Sequence, residues 1–188
     1  LSNAIRSICE GEVDQFQARY ATDVSVLSYL RRISRKTAIL FSLSCQVGAA
    51  ESNCRLETIR YLRKFGHDFG MAFQITDDLL DFSGNAKEMG KPQYSDFIEG
   101  VYTLPIIYTM QNEEYKDKLA PYIGRKDLTM DEIREVGKLV EQSGSLEKSK
   151  RLALRYLERC HESLSYLPDN SAKGALRELV EELIERRH

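Results

Sequence analysis

Long apolar runs, paired cysteines and an excess of one charge are all missing from this sequence of 188 residues. No segment reaches the ~18 consecutive apolar residues of a membrane span, so we expect a protein that is not membrane-spanning. Lysine and arginine number 27 against 29 acidic residues, which gives a net charge of -2. This balance gives no reason to expect binding to nucleic acid, and any phosphate chemistry must be local.

The sequence also lacks the cysteine spacing of a metal centre or a disulfide framework. Its four cysteines have neither C-x-x-C spacing nor a nearby histidine cluster: Cys9, Cys45, Cys54 and Cys160. We therefore interpret them as small, reduced packing residues of a cytoplasmic protein. We also expect no signal peptide before the first helix.

The sequence also has no alternating, β-branched pattern of the kind typical of strands. Apolar residues recur instead at three- and four-residue steps. This period predicts an all-α protein with one domain over residues 1–188. The first segment already follows a helical pattern. Long amphipathic helices are predicted over residues 23–50 and from 55 to about 82. Within the second of these helices, Gly66 and Gly70 would let a neighbouring helix approach closely.

Shorter helices are predicted in the second half of the chain. One covers residues 102–110 with Pro105 in its first turn, where the missing N–H is tolerated. Another covers 129–142, with Thr129 and Glu132 spaced as a capping box. Two more are predicted over 145–167 and 171–187. The Gly, Asn and Pro content of residues 83–100 predicts a loop, and loops often carry function.

Residues 71–84, MAFQITDDLLDFSG, place Asp77, Asp78 and Asp81 in a mostly apolar stretch. On a helix Asp77 and Asp81 share a face, and Asp78 lies about 100° round from Asp77. Burying ionised carboxylates costs several kcal/mol unless a charge compensates them. Mg²⁺ commonly takes one or two carboxylates and completes its shell with water and phosphate oxygens. The pattern predicts such a site, and the alternative is a solvated helix end near residues 83 and 84.

Two lysines flank these acids in sequence. Lys36 lies in RKTA (35–38) of the preceding long helix, and Lys91 lies in GKP (90–92) of the predicted loop. Lysine binds phosphate as a point charge. Each lysine alone is more often a solvated surface side chain. Their occurrence beside FQ-x-x-DD-x-x-D and D-x-x-x-G-x-x-TLP favours a shared diphosphate site.

The order of these motifs resembles one protein family. GEVDQ (11–15), RKTA, GMAFQITDDLLD (70–81), GKP and then Asp96, Gly100 and TLP (103–105) are similar to the C-terminal half to two-thirds of a trans-isoprenyl (polyprenyl) diphosphate synthase. The resemblance covers nearly the whole chain and is strongest over residues 31–105. Within the family it is greatest to the large catalytic component of bacterial enzymes such as heptaprenyl diphosphate synthase.

The resemblance implies an isoprenoid synthase helical bundle around a central cavity, with two aspartate-rich motifs and Mg²⁺ between them. It implies head-to-tail condensation of isopentenyl diphosphate with an allylic prenyl diphosphate, to give a medium- or long-chain polyprenyl diphosphate. It also implies a homodimer or a heterodimer with a small subunit. The residue roles it implies are metal ligation by Asp77, Asp78 and Asp81, diphosphate binding by Lys36 and Lys91, contact with the carbocation by Thr37 and Gln74, and a metal-proximal position for Gln15.

Two departures and two alternatives accompany the resemblance. The family's first aspartate-rich motif and its isopentenyl diphosphate site would precede residue 1, so we expect part of a longer protein that is inactive alone. Val101 stands where some members carry lysine. A terpene-cyclase-like diphosphate lyase would mix Asn, Ser and Glu in its second metal motif. A non-catalytic helical partner subunit would lose the acids and lysines, which are kept here.

Overall fold

The computed structural model describes residues 2–82 and 93–185, which form helices and turns with no strand among them. This confirms the all-α prediction. None of the helices in the described part of the chain combines the length and the apolar character of a membrane span. The helices in chain order are α1 (Ser2–Gln17), α2 (Val26–Ile33), α3 (Ile39–Glu51), α4 (Leu56–Leu80), α5 (Ser95–Ile98), α6 (Leu104–Met110), α7 (Lys116–Leu119), α8 (Met130–Gln142), α9 (Ser145–Ser165) and α10 (Ser171–Glu185).

The long helix predicted over residues 23–50 begins later and contains a change of helix type. Ser25 and Ser28 exchange hydrogen bonds, because each hydroxyl oxygen accepts the backbone N–H of the other residue at 3.0 and 3.1 Å. This reciprocal cap fixes the start at Val26. A π-helical segment, Ser34–Ala38, joins α2 to α3. Such segments are rare and often occur at functional sites.

Local signals explain other helix boundaries. Thr129 Oγ1 accepts the Glu132 N–H at 3.3 Å, and Glu132 Oε2 accepts the Thr129 N–H at 2.8 Å, which confirms the predicted capping box of α8. Pro105 lies in the first turn of α6, as predicted. The loop prediction over residues 83–100 is wrong at Ser95–Ile98, which forms α5. Residues 83–92 lie outside the described part of the chain.

The described residues divide into two compact units. The first unit takes its residues from Leu1–Glu12, Arg32–Thr76 and Leu152–His188, and the second from Val13–Arg31 and Asp77–Arg151. In the first, α4, α9 and α10 share an apolar core that includes Phe65, Leu157 and Val180. In the second, residues of α5, α6, α7 and α8 pack around Phe97, Ile106, Leu119 and Val140. The division falls inside α4, between Thr76 and Asp77.

Two glycines of α4 allow close packing in the first unit, as predicted. A Cβ atom at Gly70 would lie 2.6 Å from the Ala38 Cα, and one at Gly66 would collide with the Phe41 carbonyl oxygen. Because both obstacles are backbone atoms, no side-chain rotation could make room. Only glycine fits at these two contacts.

The four cysteines are free. Cys160 is fully buried in the core of the first unit, and Cys45 and Cys54 are partly buried. Cys9 is exposed, so the prediction of a packing role is wrong for this residue.

Candidate functional site

The three acids lie at the C-terminal end of α4, in the second unit. The helix ends at Leu80, and Asp81 follows in a turn. Asp77 is exposed, Asp78 is buried and Asp81 is half-buried. Carboxylates are unfavourable at this end, since the helix macrodipole is negative there. The structure therefore concentrates negative charge where a cation would be stabilised.

Asp78 points into the second unit and not outward. Its Oδ2 accepts the Tyr29 hydroxyl at 2.6 Å, and both side chains are buried, with Asp78 3% exposed and Tyr29 1% exposed. Hydrogen bonds to an acidic oxygen at this distance are among the stronger ones in proteins. Tyr29 was not predicted from the sequence, because its apolar neighbours in α2 make it look like an ordinary core residue.

Asp81 is fixed by the segment that follows the loop. Its Oδ1 accepts both the backbone N–H and the hydroxyl of Ser95 at 2.9 Å, and its Oδ2 accepts the Asp96 N–H at 3.3 Å. Burial raises the pKa of the Asp81 carboxyl, and the Asp77 carboxylate raises it further. The hydrogen bonds from Ser95 and Asp96 act in the opposite direction and lower the pKa. Ser95 and Asp96 thus orient Asp81, while burial, with a smaller contribution from Asp77, raises its pKa.

These residues have the chemistry of a hard divalent cation site. All the donors are carboxylate oxygens, Asp77 and Asp81 repel each other, and Asp81 is already held in one orientation. Within residues 2–82 and 93–185, no three His, Cys, Asp or Glu side chains are grouped as a complete metal site. A cation bound by one or two carboxylates with phosphate oxygens requires no such group. The donor set fits an ion whose shell a phosphate completes.

Thr37 and Gln74 meet in the first unit. The Thr37 hydroxyl donates to Gln74 Oε1 at 2.7 Å, which links the π-helical segment to α4. A hydroxyl has a single hydrogen, and that of Thr37 is used in the bond to Gln74. The lone pairs of Thr37 Oγ1 can therefore accept a hydrogen bond or face a positive charge. The two residues predicted to contact a carbocation are brought together in this way.

Lys36 lies in the same π-helical segment and is half-buried. Its Nζ is 3.0 Å from Glu12 Oε1 of α1, and both residues belong to the first unit. A partly exposed ion pair of this kind contributes little to stability. Lys91, the other predicted diphosphate ligand, lies outside the described residues, and Gln15 is half-buried in the second unit.

Comparison with known proteins places this chain in a family. The sequence profile of the polyprenyl synthetase family matches residues 1–140. The chain belongs to the polyprenyl synthetase family. The resemblance stated above on motif order is thereby confirmed.

Relatives with names and structures extend the match over the whole chain. The heptaprenyl diphosphate synthase component 2 of Geobacillus stearothermophilus is 39% identical over 180 residues, which cover 96% of this chain and 56% of the relative. The crystal structure of heptaprenyl diphosphate synthase from Staphylococcus aureus superposes with a TM-score of 0.92 at 37% identity, covering 100% of this chain and 58% of that one. This structural match confirms the isoprenoid synthase fold.

A second similar structure contains ligands. A polyprenyl synthase from Caulobacter crescentus, complexed with calcium and isoprenyl diphosphate, has a TM-score of 0.91 and 32% identity, and the match covers 100% of this chain and 58% of that one. The chain thus spans a little over half the length of these relatives. The comparisons give no support to a terpene-cyclase-like lyase or to a non-catalytic partner.

Proposed function

We propose that the protein containing this chain is an Mg²⁺-dependent trans-prenyltransferase that condenses isopentenyl diphosphate head-to-tail with an allylic prenyl diphosphate to make a medium- or long-chain polyprenyl diphosphate. The observation that carries this proposal is the acidic end of α4, where Asp77 is exposed and Asp81 is held by three hydrogen bonds. A divalent cation in the complex of a polyprenyl synthase relative supports it.

In this proposal Asp77 and Asp81 hold the metal, with Asp78 contributing from the buried side through its contact with Tyr29. The bound metal would neutralise the charge that develops on the departing diphosphate. The role proposed for Lys36 and Lys91 is to supply positive charge to the departing diphosphate, which would lower the barrier to ionisation. Thr37 and Gln74 turn oxygen dipoles toward the carbocation. None of these side chains serves as a nucleophile.

The wider assignments follow from the same proposal. Residues 1–188 form part of a single catalytic domain of a cytoplasmic enzyme. The name "component 2" of a relative supports a heterodimer with a second, smaller subunit, and a homodimer is the alternative assembly. Isopentenyl diphosphate and an allylic prenyl diphosphate are the proposed substrates.

The first test is metal-dependent turnover. The native protein is incubated with radiolabelled isopentenyl diphosphate and farnesyl diphosphate, with Mg²⁺ or with EDTA. We expect an extended prenyl diphosphate only with Mg²⁺, and a fall of about 10²-fold or more for Asp77→Ala. The thermal midpoint should stay the same or rise, since the change removes a like charge from the negative end of α4.

The matched control is Asp131→Ala, which removes an aspartate that is 90% exposed in the same unit and should keep wild-type turnover. Full activity in EDTA, or unfolding of Asp77→Ala, would contradict the metal role. A cyclic hydrocarbon as the product would support a lyase instead, and no turnover by the native protein would support the non-catalytic alternative.

The second test compares two lysines with similar ion pairs. Lys36 pairs with Glu12 at 3.0 Å, and Lys64 pairs with Glu162 at 3.1 Å. We expect Lys36→Ala and Lys91→Ala each to lower kcat/KM by about 10²-fold, because each removes charge from the transition state. Lys64→Ala should change kcat/KM little. Wild-type turnover in both Lys36→Ala and Lys91→Ala would show that neither lysine takes part in the reaction.

A further inference from the structure

The π-helical segment Ser34–Ala38 is held by one face of α4. Three α4 residues spaced by three and four positions, His67, Gly70 and Gln74, meet it along its length. His67 Nε2 lies 3.0 Å from Ser34 Oγ, Gly70 packs on Ala38, and Gln74 accepts the Thr37 hydroxyl. The first, fourth and fifth residues of the segment are therefore fixed by α4, all within the first unit.

A π-helical turn requires such support. It inserts an extra residue per turn relative to the regular α-helix, so it persists only where the surroundings favour it. The insertion changes the direction in which the following side chains leave the helix, and here those side chains include Lys36 and Thr37. Contacts at the start of the segment thus influence where these two functional groups point.

The contact at the start of the segment is polar and depends on one atom of His67. The imidazole uses Nε2 toward Ser34, while its Nδ1 lies 3.7 Å from Asp68 Oδ1, too far for a hydrogen bond. Asp68 is only 4% exposed and faces Arg159 of α9 at 3.9 Å. The ring is thus oriented with one nitrogen toward the π-helical segment and the other toward a buried carboxylate.

We propose that His67 is a positioning residue, which acts through Ser34 to hold the π-helical segment so that Lys36 and Thr37 face the reacting diphosphate. The inference rests on the proposed prenyl transfer and adds to it a residue that does not touch substrate. It differs from a general packing role because it depends on the position of one nitrogen atom.

The test uses two amides that mimic different ring nitrogens. Glutamine can place its amide nitrogen near the position of Nε2, and asparagine near that of Nδ1. In the native protein we expect His67→Ala and His67→Asn to lower kcat about tenfold, the range of outer-shell partners at functional sites. His67→Gln should restore most of the activity. KM for isopentenyl diphosphate should change by less than about twofold, because uniform binding is not affected.

A second readout does not need turnover. Hydrogen exchange of the backbone amides of residues 34–38 should be faster in His67→Ala and His67→Asn than in the wild type and His67→Gln. Ser34→Ala should match His67→Ala, and the double variant should be no worse than either, since both remove the same contact. The control is His161→Ala, which removes an exposed histidine of α9 in the same unit.

The outcomes separate this inference from the proposed function. Wild-type kcat in His67→Ala, or equal behaviour of the Gln and Asn variants, would overturn the positioning role even if exchange were faster. A native protein without prenyl transfer would contradict the proposed function. Unchanged hydrogen exchange of residues 34–38 in His67→Ala would overturn the stabilising contact between His67 and Ser34, whether or not the protein transfers prenyl groups.

Discussion

Helix α4 is held in two different ways along its length. Up to Thr76 its backbone lies against neighbouring backbone at Gly66 and Gly70, where no side chain separates the two helices. Beyond Thr76 its acidic side chains are held by hydrogen-bond donors, from Tyr29 to Asp78 and from Ser95 to Asp81. The first kind of contact tolerates no added atom, and the second loses energy in graded steps as donors are removed. Steric fit thus positions the π-helical segment, and hydrogen bonding orients the carboxylates.

The largest effect on stability is expected from Gly70→Ala. The new Cβ atom would lie 2.6 Å from the Ala38 Cα, so backbone must move, and we expect a loss of about 3 kcal/mol. The measurement is the free energy of unfolding from urea titration followed by circular dichroism.

Gly174→Ala in α10 is the control for this prediction, because a Cβ there meets nothing within 4 Å. It should stabilise the protein by up to about 1 kcal/mol through helix propensity. A stabilised Gly70→Ala variant would show that the two helices are not in backbone contact.

An intermediate effect is expected from Tyr29→Phe. The change keeps the ring and removes the hydroxyl that donates to buried Asp78 Oδ2 at 2.6 Å, so we expect a loss of about 2 kcal/mol. Thermal unfolding measures it. Tyr166→Phe, at a tyrosine that is 59% exposed, should have no measurable effect. Equal midpoints for the two variants would mean that the Tyr29 hydroxyl does not stabilise the end of α4.

The smallest effect is expected from Ser95→Ala. Asp81 keeps its backbone donors and loses one hydroxyl, so we expect a loss of about 1 kcal/mol or less. The lost bond lowers the pKa of Asp81 in the wild type, so the pKa should rise further in the variant. Carboxyl NMR titration measures this shift.

The sign of the pH dependence follows from the raised pKa. The native state keeps the Asp81 proton to a higher pH than the unfolded chain, so stability falls as pH rises between the two pKa values. This fall should be larger in Ser95→Ala. Ser165→Ala removes a hydroxyl that donates to a carbonyl of its own helix, and it should leave the titration of Asp81 unchanged. An Asp81 pKa that stayed fixed in Ser95→Ala would contradict the role of this hydroxyl.

Periodicity was sufficient to predict the long helices, because an amphipathic pattern repeated over several turns depends on local sequence alone. The capping box at Thr129 was predictable for the same reason, whereas Gly66 and Gly70 indicated a close neighbour without showing which residues they contact. The short helix Ser95–Ile98 was missed because its neighbours have loop composition, and its Ser95 is fixed by Asp81, 14 positions earlier in the chain.

The sequence predicted candidate site residues but not how they are arranged in the fold. A helical pattern gives the angle between Asp77 and Asp78 but not which of them faces the core, and that depends on Tyr29, 49 positions earlier. The π-helical geometry of Ser34–Ala38 was also hidden, since the letters SRKTA suit a regular helix equally well. The contacts with α4 that accompany it arise only in the folded chain.

The two glycines of α4 also restrict sliding motion. Gly70 faces Ala38 and Gly66 faces Phe41, so a shift of α4 by one turn, about 5.4 Å, would bring Gln74 against Ala38 or Leu62 against Phe41. Either direction of travel forces a large side chain into backbone. The register between α4 and the preceding helix is therefore fixed. We expect any conformational change in the first unit to move the two helices together as a rigid body.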